Sequence, residues 1–257
     1  MNNEVNELIE AGAIFYCSHS GGKDSQAMYA FLQTIVPADQ IVVVHADLGN
    51  VEWSGVQDHI HANIDHPLNV VSAVWKDGSS KDLLGMVEKR FIDRPESPSW
   101  PSSAARYCTS DLKRDPIAKF IRNDLKDRGT HLGVNCMGLR AEESSARAKK
   151  ETWTKNNRLS NKSRLVMDWL PIHEWLTDEV FAYIHDAGQE AFWAYKNGNE
   201  RLSCVFCIMG SRNDIALGAQ ARPELFARYV ELEQRTGYTV FKDETIQERA
   251  GIIASDA

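Results

Sequence analysis

The sequence has no apolar run approaching the ~20 residues that a membrane helix needs. The strongest run, Ile41 to Ala46, already contains His45. The opening Met-Asn-Asn-Glu-Val-Asn-Glu lacks the basic and apolar regions of a secretory signal. Cysteine is scarce, with an odd set of five (Cys17, Cys108, Cys136, Cys204, Cys207) in 257 residues, which argues against a secreted disulfide scaffold. An excess of positive charge is also missing: 29 Lys+Arg against 36 Asp+Glu give a formal charge of −7, which argues against a general nucleic-acid coat protein. Collagen-like, low-complexity and solenoid repeats are absent. The expectation is a cytoplasmic globular protein with no membrane partner.

What is present is ordinary for such a protein: 43% apolar and 25% charged residues, in a length that can form one large domain or a domain with an appendage. Ala13–Cys17, Ile41–Ala46, Asn69–Trp75 and His131–Met137 read as strands, and helices are expected around 55–65, 80–90 and 111–127. Ala27, Met28, Phe31, Leu32 and Ile35 recur at helical spacing before Pro37. Strands alternating with helices predict an α/β fold, a doubly wound and mostly parallel sheet, which binds ligands beyond its strands' carboxyl ends. After residue 165 the pattern turns to helices and loops. The expected division is therefore 1–165 as a sheet domain and 166–257 as a helical subdomain carrying Cys204-x-x-Cys207.

Ser20-Gly21-Gly22-Lys23-Asp24-Ser25 follows the first strand and opens a helix. Two glycines allow close backbone approach to phosphate, and helix amides supply positive potential. Lys23 adds charge, and the Ser20 and Ser25 hydroxyls can donate to phosphate oxygens. The spacing is not that of a Walker A loop. From Arg140 to Arg164 eight basic and three acidic residues give a local charge of +5, leaving −12 for the remainder. That stretch, with Trp153 inside it, reads either as a nucleic-acid surface or as a mobile lid over nucleotide phosphates.

Ser20 to Ser25 resembles the SGGxDS signature of the PP-loop ATP pyrophosphatase superfamily. His45-Ala-Asp-Leu-Gly-Asn-Val-Glu52, Gly138-Leu-Arg-Ala-Glu-Glu-Ser-Ser-Ala-Arg147 and Trp169-Leu-Pro-Ile-His-Glu-Trp175 are similar to elements of its phosphoadenosine-phosphosulfate (PAPS) reductase-like branch. The resemblance runs from about residue 13 to 240. It implies an adenine nucleotide alpha-hydrolase-like sheet, with Ser18, Ser20, Gly21, Gly22, Lys23, Asp24, Ser25, Asp47, Gly138 and Arg140 around the nucleotide. Lys23, Asp24, Arg140 and Arg147 become the expected catalytic residues. Arginine can hold phosphate bidentately, and Asp24 can help to hold Mg²⁺ when ATP is bound.

Cys204-x-x-Cys207 alone suits zinc, iron–sulfur or redox chemistry. Ala105-Arg-Tyr-Cys-Thr-Ser-Asp-Leu-Lys113 resembles an element that holds two adjacent cysteines in iron–sulfur adenylyl-sulfate reductases. Here Tyr107 replaces the first, and Cys108 stands 96 positions before Cys204. The resemblance thus implies a 4Fe-4S cluster on Cys108, Cys204 and Cys207 with one iron left open. The alternatives are zinc, with His173 or His185 as fourth ligand, and a metal-free dithiol that cycles through a persulfide or disulfide. Cys17 and Cys136 read as buried strand thiols.

The glycine loop retains its Lys-Asp pair, and no cysteine follows Cys207. Both features point away from a sulfonucleotide reductase. They point toward cleavage of ATP between its α and β phosphates, adenylylation of an acceptor, and sulfur transfer of the kind found in tRNA thiolases and DNA-phosphorothioation members. PAPS or adenylyl-sulfate reduction is the alternative, followed by a sulfate adenylyltransferase-like subunit or a non-catalytic nucleotide sensor. The expected partners are an adenine nucleotide, a nucleic-acid acceptor at residues 140–164, an unspecified sulfur donor and a homodimer mate.

Overall fold

A computed structural model describes residues 3–252. Two compact units divide the chain, each assembled from separate stretches of the sequence. One comprises the chain up to Ala46, Gly55–Val71 and Pro116–Phe192; the other comprises Asp47–Ser54, Ser72–Asp115 and the chain from Trp193 onward. The strands are β1 (Ile14–Ser18), β2 (Ile41–Asp47), β3 (Leu68–Ser72), β4 (Leu132–Cys136), β5 (Trp153–Lys155) and β6 (Leu165–Trp169). The helices open with α1 (Asn3–Glu10), α2 (Lys23–Gln33), α3 (Val56–Ala62), α4 (Leu83–Asp93) and the short α5 (Tyr107–Thr109). They continue with α6 (Asp115–Asp127), α7 (Ser145–Ala148), α8 (Thr177–Asp186), α9 (Trp193–Lys196), α10 (Arg212–Ala221), α11 (Pro223–Thr236) and α12 (Ile246–Ala250).

The first unit is built on a six-stranded sheet in the order β3-β2-β1-β4-β6-β5. Strand β1 runs parallel to both β2 and β4, β4 runs parallel to β6, and β5 pairs antiparallel with β6. The apolar run Ile41-Val-Val-Val44 forms a strand because β-branched side chains fit a pleated surface covered on both faces. Its residues divide by parity: Ile41 and Val43 join Phe15, Cys17, Met28 and Leu32 in one core, while Val42 and Val44 join Ile14, Tyr16, Ile121 and Leu125 in the other. Helix α2 therefore covers one face and α6 the other.

The chain leaves β1 toward β2 on one side, whereas β4 lies on the other. The β1–β4 boundary is thus the topological switch point, where connections diverge and open a crevice beyond the strand ends. The segments that follow these two strands are Ser20–Ser25 and Gly138–Arg140. The sequence pattern anticipated β1, β2 and β4 closely. It extended β3 three residues too far, since Val74 instead bridges to Ser80 in a tight turn. It missed β5 and β6, whose short, polar-interrupted segments lie in and beside the basic stretch.

The second unit is helical. Asp82 caps α4 by accepting from the Gly85 amide at 2.7 Å. Pro223 opens α11 and Gly237 closes it at φ +70°. The buried Glu233 carboxylate accepts from the Val240 amide at 2.7 Å and from the Ile246 amide at 3.1 Å, which ties the α11–α12 connection together. No helix among the described residues is long and apolar enough to cross a membrane.

Candidate functional site

The loop after β1 is tightly constrained. Gly21 sits at φ +77°, a conformation that costs an L side chain steric strain. Ser25 Oγ donates to the Gly22 carbonyl at 2.9 Å and accepts from the Ser20 amide at 3.1 Å, so it is committed to closing the loop. Gly22 is the N-cap of α2, and no side chain caps that first turn. The first-turn amides of α2 therefore have no side-chain acceptor at the cap. Ser18 ends β1 and is half-buried.

Asp24 is the hub of the polar network. Its Oδ1 accepts from Arg140 Nε at 2.6 Å, and its Oδ2 lies 3.3 Å from Lys23 Nζ. Lys23 is itself buried, with Nζ 6.0 Å from the centre of the Phe181 ring. Arg140, only 2% exposed, also donates to Glu142 at 2.6 Å, to the Trp175 carbonyl at 3.0 Å and to Thr177 Oγ1 at 3.1 Å. Burial works against its charge, but the Asp24 and Glu142 carboxylates more than compensate and raise its pKa. Glu142 accepts from the Thr177 amide and hydroxyl, both at 2.8 Å, and the hydroxyl first and Arg140 second lower its pKa. Sequence reasoning had aimed Arg140 at phosphate, whereas its guanidinium here holds Asp24 and the start of α8.

Other expected site residues also have local partners. Asp47 ends β2 and accepts from the Gly49 amide at 2.7 Å. Arg147 pairs with Glu143, whose carboxylate also accepts from the Arg140 amide at 3.1 Å. Gly138 is required by packing: a Cβ there would stand 2.8 Å from the Asp24 carbonyl oxygen. The basic stretch is folded, with Trp153 edge-on to Trp169 at 6.2 Å and therefore part of the core. Lys149, Lys150, Lys155, Arg158 and Lys162 are exposed along it.

Cys17 and Cys136 face each other across the β1–β4 register, fully buried, and burial raises both thiol pKa values. The other three cysteines belong together in the second unit. Cys204 donates to Cys207, which raises the pKa of the first thiol and lowers that of the second, while the Lys113 charge favours thiolate at all three positions. Two glycines let the backbone close around this loop: a Cβ at Gly218 would stand 2.7 Å from Val205 Cγ1, and one at Gly210 3.0 Å from the Cys207 carbonyl.

Among the described residues no group of three or more His, Cys, Asp or Glu converges to hold a single metal ion. The zinc alternative also loses His173, whose Nδ1 lies 2.7 Å from Glu174 and whose Nε2 lies 3.0 Å from the Arg147 carbonyl. His185 is exposed beside Asp186. The hydrogen bond to Cys207 and burial raise the pKa of Cys204, burial raises that of Cys108, and only Cys207 is driven toward the thiolate.

Sequence reasoning missed His19 and Tyr229. His19 lies inside the loop motif, 2% exposed, and its Nδ1 accepts from the Gly21 amide at 3.1 Å. Its position in Ser18-His19-Ser20 was the available signal. Tyr229 had none beyond helical core periodicity.

A glycine loop at the switch point of a mostly parallel sheet, backed by the ion pair of the buried Arg140 with Asp24, marks an α/β protein with a candidate site beyond its strand ends. Residues 14–209 match the phosphoadenosine phosphosulfate reductase domain family, and the chain belongs to that family. An uncharacterized 37.8 kDa protein of Escherichia phage 186 is 28% identical over 135 residues, covering 52% of this chain and 39% of that protein. An uncharacterized protein of Methanocaldococcus jannaschii is 24% identical over 221 residues, covering 86% of this chain and 48% of that one. The chain thus spans less than half the length of these relatives. A crystal structure of PAPS reductase from Candida auris, in complex with phosphate, aligns at TM-score 0.47 and 15% identity, covering 74% of this chain and 80% of that one.

Proposed function

We propose that this member of the PAPS reductase family binds ATP at the Ser20–Ser25 loop and cleaves it between the α and β phosphates. The acceptor's oxygen would attack the α-phosphorus, its proton would pass to solvent, and the bond to the bridging oxygen would break to release pyrophosphate. The observation that carries this reading is the intact loop: an uncapped first turn of α2, with Lys23 and Asp24 held beside it. Lys23 would meet the charge that develops on pyrophosphate. Arg140 and Arg147 would act through Asp24 and Glu143, positioning the loop and the turn that packs on it. Both Asp24 oxygens already have cationic partners, so Mg²⁺ would arrive mainly on the nucleotide's own phosphates.

Cys108, Cys204 and Cys207 would hold a 4Fe-4S cluster, which would supply a site for binding sulfur. Sulfur transfer to the adenylylated acceptor, with AMP leaving, completes the proposed activity. The exposed lysines of the basic stretch favour a nucleic-acid acceptor. A second reading, reduction of PAPS or adenylyl sulfate, draws on the family description and on the thiolate-prone Cys207.

Anaerobically purified protein incubated with ATP, sulfide as the sulfur donor and mixed RNA or DNA tests the first reading. Pyrophosphate and AMP should form, and Lys23→Ala should abolish both. Sulfite release from PAPS or adenylyl sulfate, without pyrophosphate from ATP, would replace it with the second. Adenylyl sulfate made from ATP and sulfate would indicate a sulfate adenylyltransferase. ATP binding without turnover would indicate a sensor.

A further inference from the structure

His19 stands between β1 and the glycine pair and is 2% exposed. Strand β2 holds its backbone through both polar groups. The His19 amide donates to the Val44 carbonyl at 2.8 Å, and its carbonyl accepts from His45 Nδ1 at 2.9 Å. The imidazole meets the Tyr29 ring of α2 edge-on at 6.2 Å. Its Nδ1 accepts from the Gly21 amide at 3.1 Å. An amide can only donate, so Nδ1 is bare and the proton of the neutral ring sits on Nε2. That second nitrogen is buried and has no hydrogen-bond partner among the described residues. Burial keeps the ring neutral at ordinary pH, so Nδ1 stays an acceptor.

A buried donor without an acceptor costs stability, and a phenylalanine ring would fill similar space without that cost. What offsets it is the work of the other ring nitrogen. Nδ1 pins the Gly21 amide, while Ser25 Oγ pins the Ser20 amide before it at 3.1 Å. With two successive amides fixed and Gly21 at φ +77°, the chain enters α2 on a single course that aims its first-turn amides and Lys23. We propose that His19 is a positioning residue of the glycine loop, whose Nδ1 pre-orders that loop to grip the pyrophosphate half of ATP. This inference rests on the ATP reading above. A loop held in place before the ligand arrives spares binding the cost of ordering it. His19 acts through Gly21, since that amide occupies Nδ1 and Nε2 is enclosed.

The test measures binding of ATP, AMP and inorganic pyrophosphate by calorimetry, with Mg²⁺ present, to the full chain as wild type, His19→Asn and His19→Gln. Asparagine places its carbonyl oxygen where Nδ1 stands. Glutamine reaches the Nε2 position instead and leaves the Gly21 amide without its acceptor. His19→Gln should weaken ATP and pyrophosphate about three- to tenfold with AMP unchanged, and His19→Asn should recover most of that loss. A purely structural role would weaken all three ligands together, or lower Tm and change none, and either result overturns the proposal. If His19→Gln fails to fold, hydrogen exchange at the wild-type Gly21 amide decides. It should be slow before any ligand is added, whereas an amide that exchanges freely until pyrophosphate binds overturns the proposal. A wild type that binds pyrophosphate no better than His19→Gln does overturns the role of His19 and leaves the ATP reading standing. A wild type that binds neither ATP nor pyrophosphate overturns the ATP reading, and this inference with it.

Discussion

Arg140 Nε and Asp24 Oδ1 meet at 2.6 Å, joining the segment after β4 to the first turn of the helix after β1. The two residues are 116 positions apart in the chain. Their contact fixes the two loops that flank the switch point relative to each other. It also couples the phosphate loop to α8, because the same guanidinium reaches Trp175 and Thr177.

Arg140→Gln removes the charge and leaves Asp24 and Glu142 without their principal cation. Breaking a buried pair from one side costs about 3 kcal/mol. Urea denaturation should show a loss of that order, and ATP binding by calorimetry should weaken in parallel. Arg140→Lys should recover only part of either, since an ammonium cannot reproduce the forked geometry. A variant with wild-type stability and binding would remove the network from the account.

Gly138→Ala places a methyl group 2.8 Å from the Asp24 carbonyl oxygen and 2.9 Å from its carbonyl carbon. These are backbone atoms and cannot rotate away. Overpacking of this kind costs about 1–3 kcal/mol. The damage should appear in nucleotide affinity as much as in Tm, because the displaced atoms belong to the loop. A fall in Tm with unchanged affinity would separate Gly138 from the site.

His19 supplies a pH signature. Burial, followed by the nearby His45 and His59, holds its pKa down to about 3 against an ordinary 6.5. Between those values the unfolded chain binds a proton that the native state does not. Stability therefore falls as pH drops from about 6.5 toward 3, by up to about 1.4 kcal/mol per pH unit for this group. The lowered pKa of His59 acts in the same direction. His19→Asn keeps an acceptor for the Gly21 amide and should flatten the acid limb of a stability–pH curve. An unchanged slope would show that His19 is protonated, or solvated, in the native state.

The thiols can be ranked by reactivity. In metal-free protein at neutral pH, iodoacetamide should modify Cys207 roughly tenfold or more faster than Cys17 and Cys136. The Cys204 thiol that donates to Cys207, with the Lys113 charge, favours thiolate there, while full burial opposes it on the strands. Peptide mass mapping reads the order directly. Equal labelling of all five would dissolve the distinction between strand thiols and the second-unit trio.

The loop beneath Cys204 and Cys207 offers a further handle. Gly218→Ala would drive a methyl group into Val205 Cγ1 at 2.7 Å and toward the Val205 carbonyl at 3.3 Å. The valine can turn but the carbonyl cannot. Iron and sulfide uptake should drop severalfold, with nucleotide binding retained. Undiminished uptake would mean that the loop tolerates displacement.

Strands β1, β2 and β4, the helices behind them and the glycine loop were legible from local residue patterns. These depend on short-range rules: β-branched runs, helical spacing, and a glycine pair between strand and helix. Buried strand thiols at Cys17 and Cys136 were legible for the same reason. The partner of Arg140 emerged from the folded chain, because a guanidinium beyond a strand end can serve a phosphate or a carboxylate equally well. The interleaved units, and the strands β5 and β6, depend on pairings between distant segments that no local pattern encodes. Tyr229 shows the limit most plainly, since one aromatic among many on a helix becomes distinctive only when packing buries its ring between Trp100 and Phe206.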